Sequence, residues 1–440
     1  MSAVPVKSGA SSFYAARFAD LRARLPGHGV AWLDAARAQA LRTFEQLGFP
    51  TTRDEAWKYS NLALLERRQY APVVAPALAD PAAVAQHDVC GGHLMVFVNG
   101  QLAPALSRLP QGTLIGSLAQ VLQHEPDSAR GGIEQAPLAN GVSALNVALF
   151  ADGACVRLPA GTQLGTPIHL LFLATSTDCA ISPRNSIVIG AGSSATVIEH
   201  YIGAPELAYW TNTSTRIRLE PSASLEHINV LQESAKAYHT GAISIDQASS
   251  SRYNSHSIAL GGLFGRKDIG VRLAAEHAHC SLNGLYVSTG REHIDFHTVV
   301  DHLAPRGTSR EFFKGVLSGA SRAVFNGKVI VHPDAQQTDA QQSNKNLLLS
   351  EDAEVDTKPQ LEIFADDVKC SHGATIGQLD ENQVFSLRAR ALSEQAARNV
   401  LTYAFCEEII APLPIEPLRK YLNQALLGRL PDGDKLVELI

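Results

Sequence analysis

No stretch of this sequence reaches the ~18 uninterrupted apolar residues that a membrane span needs. The amino terminus also lacks a basic region followed by a hydrophobic segment, so no secretion leader is expected and the cytoplasm is the expected compartment. Lys and Arg form no long run, and the formal net charge is -6. Without clustered cations, nucleic acid is not expected as the main partner. The six cysteines, at 90, 155, 179, 280, 370 and 406, make no Cys-x-x-Cys pair. Neither a disulfide framework nor a zinc ribbon fits that spacing, and reduced, mostly buried thiols are expected. Aromatic residues are only 6%. Also missing are the phosphate loop, the dinucleotide-binding Gly-x-Gly-x-x-Gly, the His-Glu-x-x-His zinc helix and the Gly-x-Ser-x-Gly nucleophile elbow. The chain is therefore not expected to hydrolyse ATP by itself.

What is present is a chain of 440 residues, 45% hydrophobic and 18% charged, enough for two or three compact units. Apolar spacing from Ala10 to Leu65 is helical, with a run from Val30 to Leu47 closed by Gly48 and Pro50. Residues 71 to 86, rich in Ala, Pro and Val, read as a linker or an irregular entry to the next domain. Short alternating runs then recur, among them Thr215–Leu219, Ala242–Ile245, Leu285–Val287 and Lys328–Val331, each bounded by turn formers. Ser194-Ala195, Ser222-Ala223, Ser249-Ser250 and His277-Ala278 recur about 27 residues apart, a solenoid-like period. No helical crossover is evident between Ala154 and Gln378, which disfavours a doubly wound sheet. The period leaves two architectures open, a large antiparallel sandwich and a parallel β-helix of roughly eight or nine coils. Helical spacing returns after Leu379. Ser393 is a natural N-cap for a helix running through Leu401, Phe405 and Ile409, and Pro417 opens a second helix carrying Leu418, Tyr421 and Leu422 to Gly428. Such helices can cap a solenoid's open edge or offer a surface to a partner.

Cys370 and His372 stand two apart in a run that reads as strand, so thiol and imidazole share a face. Both suit iron, zinc or an iron-sulfur cluster, but a complete site takes three or four ligands, and two from one strand are half of one. The rest would come from another strand or another subunit; ordinary structural side chains are the alternative. His293, Asp295 and His297 have the same spacing and could hold a metal facially, although a hydrogen-bonded polar ladder is the favoured reading. His277 and His279 share a face that Cys280 does not. The amide-rich run from Gln336 to Asn346 suggests ladders between coils. Trp57 and Tyr59 read as packing residues.

The words around the Cys-x-His pair are distinctive. Asp366-Asp367-Val368-Lys369-Cys370-Ser371-His372-Gly373, Phe312-Phe313-Lys314-Gly315-Val316 and Gln341-Gln342-Ser343-Asn344-Lys345-Asn346 closely resemble the SufB/SufD family of iron-sulfur cluster assembly proteins, in its SufD form. The likeness is dense from about 310 to 380; Val384–Leu392 departs from the usual pattern. The resemblance implies a mainly β fold: a right-handed parallel β-helix core at 151–380, N-terminal helices at 1–75, an irregular α/β segment at 76–150 and a C-terminal helical region at 381–440. It further implies a non-catalytic scaffold that pairs with SufB and docks the ATPase SufC through its terminal helices, where Leu401, Phe405, Ile409, Leu418, Tyr421 and Leu422 are the expected contacts. His372 and Cys370 would contribute to a transient iron-sulfur cluster at the SufB junction, with none tightly bound by the chain alone. An isolated chain is expected to associate with itself as a homodimer. The competing expectation is a metal-dependent or carbohydrate-active β-helix enzyme.

Overall fold

The computed structural model describes residues 9–109, 114–134 and 139–433; the outermost residues of the first and last expected regions lie outside them. Its centre is a parallel β-helix of about eight turns. Successive strands alternate between two facing sheets, one of 11 strands and one of 10. Each coil contributes one strand to each sheet: Trp210–Leu219, Tyr238–Gln247, Phe264–Leu273, His293–His302 and Arg322–Val331 stack in the first, and Ser224–Gln232, Arg252–Ala259, His279–Ser288 and Thr308–Leu317 in the second. Side chains alternate in and out, and the inward Ile, Val, Leu, Phe and Tyr residues fuse into one continuous core.

One corner of the coil explains the sequence period. Gly161, Gly192, Ser222, Ser250, His277, Arg306 and Gln337 all adopt left-handed backbone conformations there. Each N–H donates to a carbonyl in the following coil, as from Ser222 to Ser249 and from His277 to Pro305. The repeated Ser222, Ser249-Ser250 and His277 words are therefore this turn. Ser194 belongs two places further on: it pairs with Ser224, and Gly192 is the residue that matches Ser222.

The solenoid starts earlier than residue 151. His93–Val98 pairs parallel with Ile168–Ala174, and the antiparallel strands Gln101–Leu102 and Leu114–Ser117 close that end. The N-terminal helices Gly9–Leu21 and Ala31–Leu47 join helix Gly141–Leu149 on the outer face of the first sheet, against Trp210, Tyr238 and Phe264. Gly141 is needed at that junction, since a Cβ there would meet the Gly48 carbonyl oxygen at 1.7 Å.

The C-terminal helices Glu394–Ile410 and Glu416–Leu427 form a hairpin, with Ser393 capping the first and Pro417 in the first turn of the second. The hairpin does not cover the end of the solenoid. It lies along the outer face of the second sheet, where Ile409, Leu418, Leu422 and Leu426 meet Ile228, Val230, Ile258 and Leu285. No helix among the described residues is long and apolar enough to cross a membrane.

Candidate functional site at the uncovered end of the solenoid

The two sheets end on strands Glu354–Ile363 and Val368–Gly377, and among the described residues no further strand pairs with the outer edge of either. Their outer edges present unpaired backbone donors and acceptors, a template for another chain. Apolar side chains collect around this end: Leu349, Ile363, Phe364, Ile376 and Phe385 are all at least 36% exposed.

Cys370 and His372 lie on the last of these strands, and both face the solenoid interior. In register, Cys370 continues the inward column Cys280, Ser309, Ala340, and its half-buried side chain packs against the core. Burial pushes its thiol pKa up. His372 continues the column Glu311, Gln342 and is exposed at the mouth. The shared face read from the two-residue spacing is thus an inward face, open because no further strand among the described residues stacks above it. Among the described residues, no three His, Cys, Asp or Glu side chains are grouped to hold a metal.

The coil below gives the mouth a polar floor. Asn346 donates to Asn344 at 2.7 Å, Asn344 donates to the Tyr286 hydroxyl at 3.1 Å, and Tyr286 donates to Asn346 at 2.5 Å. Gln342 donates to Glu311 at 3.0 Å, and Thr298 donates to the same carboxyl at 2.5 Å. The amide-rich run therefore makes a hydrogen-bonded network facing inward. Burial raises the Glu311 pKa to about 7, against the pull of Thr298 and Gln342. An acid raised in this way is fully stabilising below its unfolded pKa, and the contribution is lost as pH climbs toward 7. Glu311→Gln is therefore expected to be more stable than wild type at pH 8 by up to about 3 kcal/mol, the advantage vanishing near pH 4.5. Denaturant midpoints at the two pH values measure this.

His293, Asp295 and His297 do come together, but as a lock for the N-terminal segment. Ser60 lies 2.9 Å from His293 Nε2 and donates to Asp295 at 2.5 Å. Arg266 pairs with the same carboxylate at 2.9 Å and lies 3.7 Å over the Trp57 ring. The strand's outward face is thus taken by Ser60 and Arg266, and the facial metal expectation gives way to the polar-ladder reading. Trp57 is buried, as a packing residue should be, whereas Tyr59 is 36% exposed.

The six residues expected to meet an ATPase are placed differently from one another. Ile409, Leu418 and Leu422 are sealed against the chain's own sheet, so they anchor the hairpin and are not free for a partner. Leu401, Phe405 and Tyr421 are half-buried. Phe405 covers Lys314, whose ammonium is 4.0 Å from the ring, and Tyr421 donates to Gln232 at 2.7 Å. Leu422→Ala should cost roughly 2–5 kcal/mol of docking and speed amide exchange across 394–427, seen by hydrogen–deuterium exchange.

Residues 172–405 match the family described as "SUF system FeS cluster assembly, SufBD core domain", and residues 9–170 match the "SufBD protein N-terminal region". This chain belongs to the SufBD family. It is 34% identical over 400 residues to an iron-sulfur cluster assembly SufBD family protein of Synechocystis, covering 87% of this chain and 88% of that one. It is 32% identical over 402 residues to the iron-sulfur cluster assembly protein SufD of Escherichia coli, covering 90% and 92%. SufD of Bacillus subtilis is 25% identical over 414 residues, covering 89% and 92%.

Two features of this SufBD chain were not foreseen. Inside the middle coils lies a buried ionic network: Glu199 meets His227 at 3.0 Å and accepts from Tyr201 at 2.5 Å, while Glu233 meets His239 at 2.8 Å, and His239 lies 3.1 Å from Lys267. Burial lowers Lys267 to about 8. Burial raises the Glu199 pKa, but His227 and Lys267 outweigh it and hold the carboxyl at about 2. On the outer face of the second sheet, His169 stacks on His200 at 5.6 Å, and His87 and Tyr421 pack edge-on to His200. Charged residues within alternating runs look outward unless the inward parity is known, and the histidines are far apart in sequence.

Proposed function

We propose that this SufBD protein is a non-catalytic scaffold subunit whose uncovered end pairs with a homologous β-helix of the SufB type. On this reading Cys370 and His372 contribute two ligands to an iron-sulfur cluster held as transient cargo at the junction, and the partner supplies the others. The observation that carries it is the position of that pair, inward-facing on an uncovered last coil ringed by exposed Ile363, Phe364 and Ile376. Free strand edges and apolar side chains together favour pairing with another solenoid over exposure to water. In the absence of that partner, the same surface would favour a homodimer.

The C-terminal hairpin is the proposed dock for a SufC-type ATPase. Packed along the second sheet, it would couple nucleotide-driven movement to the strands that carry Cys370 and His372. Its contact surface would be the outward side, bearing Lys420 and Gln424, with Leu401 at its margin.

Co-purification with SufB- and SufC-type partners tests this. Truncation after Asp380 should abolish ATPase capture. Because truncation also bares the apolar outer sheet, Lys420→Glu combined with Gln424→Glu is the second variant, expected to weaken capture with the fold intact. Undiminished capture by both would contradict the docking assignment.

A further inference from the structure

Gln342 sits one coil below His372 in the same inward column, a spacing of about 4.8 Å. It is 4% exposed, and its carbonyl oxygen Oε1 is buried without a hydrogen-bond partner. A buried polar atom left unpaired is costly and calls for an explanation. The other end of the amide is fixed: Nε2 donates to Glu311 Oε1 at 3.0 Å, and Glu311 Oε2 accepts from Thr298 at 2.5 Å. With Glu311 accepting, the amide turns its N–H groups downward. Space for the amide comes from Gly327 on the facing sheet, where a Cβ would lie 2.2 Å from Gln342 Nε2.

We propose that Gln342 is a positioning residue for His372: its Oε1 accepts the imidazole N–H when a partner covers the mouth, leaving the other ring nitrogen free for iron. Glu311 acts one step further back, by fixing which end of the amide faces His372. Histidine ligands generally donate their second N–H to such an acceptor, which sets the tautomer and holds the ring. The proposal rests on the shared-site reading above and names what that reading leaves out, the group that orients the one ligand exposed at the mouth.

Gln342→Leu gives the sharpest test. A glutamine at 311 can hold residue 342 through either end of its amide, because the Thr298 hydroxyl both donates and accepts, whereas Gln342→Leu leaves no acceptor at the mouth. The exchange Glu311→Gln with Gln342→Glu restores an acceptor there. The measurements are iron and sulfide per complex, and the midpoint potential of the cluster, in complexes purified with SufB- and SufC-type partners. Gln342→Leu should lower cluster content by about tenfold and shift the potential of what remains. The exchange should recover both readouts.

Wild-type content and potential in Gln342→Leu, or no recovery in the exchange, would overturn the proposal. His372→Ala separates it from the reading beneath. If His372→Ala loses the cluster while Gln342→Leu keeps it, the positioning role fails and the shared site stands. If His372→Ala keeps the cluster, the shared site itself fails.

Discussion

Glu199→Gln is expected to cost about 3 kcal/mol of stability at pH 7, more than the exposed ion pairs of the surface can contribute. Glu199 is fully buried in the solenoid core, where His227, Tyr201 and Asn229 all bond to its carboxylate. Its folded pKa of about 2 lies well below the ordinary value of 4.5. Stabilisation by such a group is present above the unfolded pKa and is lost as pH falls through the folded one. The gap between wild type and Glu199→Gln should therefore be full at pH 7, shrink below pH 4.5 and close near pH 2. Lys267 provides the contrast. Its pKa of about 8 leaves it charged at pH 7 at a desolvation cost; Lys267→Met removes that cost together with its pull on Glu199, and should therefore cost less than Glu199→Gln. Denaturant titrations of the three proteins across pH decide this, and equal losses would contradict the assignment of Glu199 as the favoured charge.

His372→Ala is expected to leave assembly with the SufB- and SufC-type partners intact while lowering cluster iron and sulfide per complex by at least about tenfold. The side chain is exposed at the mouth and contributes nothing to the core, so thermal unfolding of the lone chain should not change. Pairing depends instead on the strand edges and on Ile363, Phe364 and Ile376 around them. A complex that falls apart on losing this one imidazole would mean that the residue holds the interface and does not serve the cargo.

Much of this architecture was legible because strand parity is strict. Alternation put Cys370 and His372 on one face, and the turn words at Ser222, Ser250 and His277 marked the coil length. Helix boundaries at Ser393, Pro417 and Gly428 followed from capping chemistry. Parity cannot say which face is inward, however, and this hid the ionic network of Glu199 and Lys267. Helix Gly141–Leu149 escaped notice because almost all of it is buried, leaving no polar face to reveal the helical period. His93–Val98 was read into an irregular segment because its partner strand lies 75 residues on, at Ile168. The apolar stripes of Leu418 and Leu422 were evident, but amphipathicity shows only that a helix buries a face. Here the covering surface is the chain's own second sheet. The His293, Asp295 and His297 set needed Ser60, more than 230 residues away, before its role as a lock could be seen.

Iron and sulfide content of the purified chain, compared with the same chain co-purified with a SufB-type partner, tests the central claim most directly. The lone chain is expected to carry no stoichiometric cluster by absorbance or assay, and the pair to gain one which His372→Ala removes. A full cluster on the chain alone would contradict it.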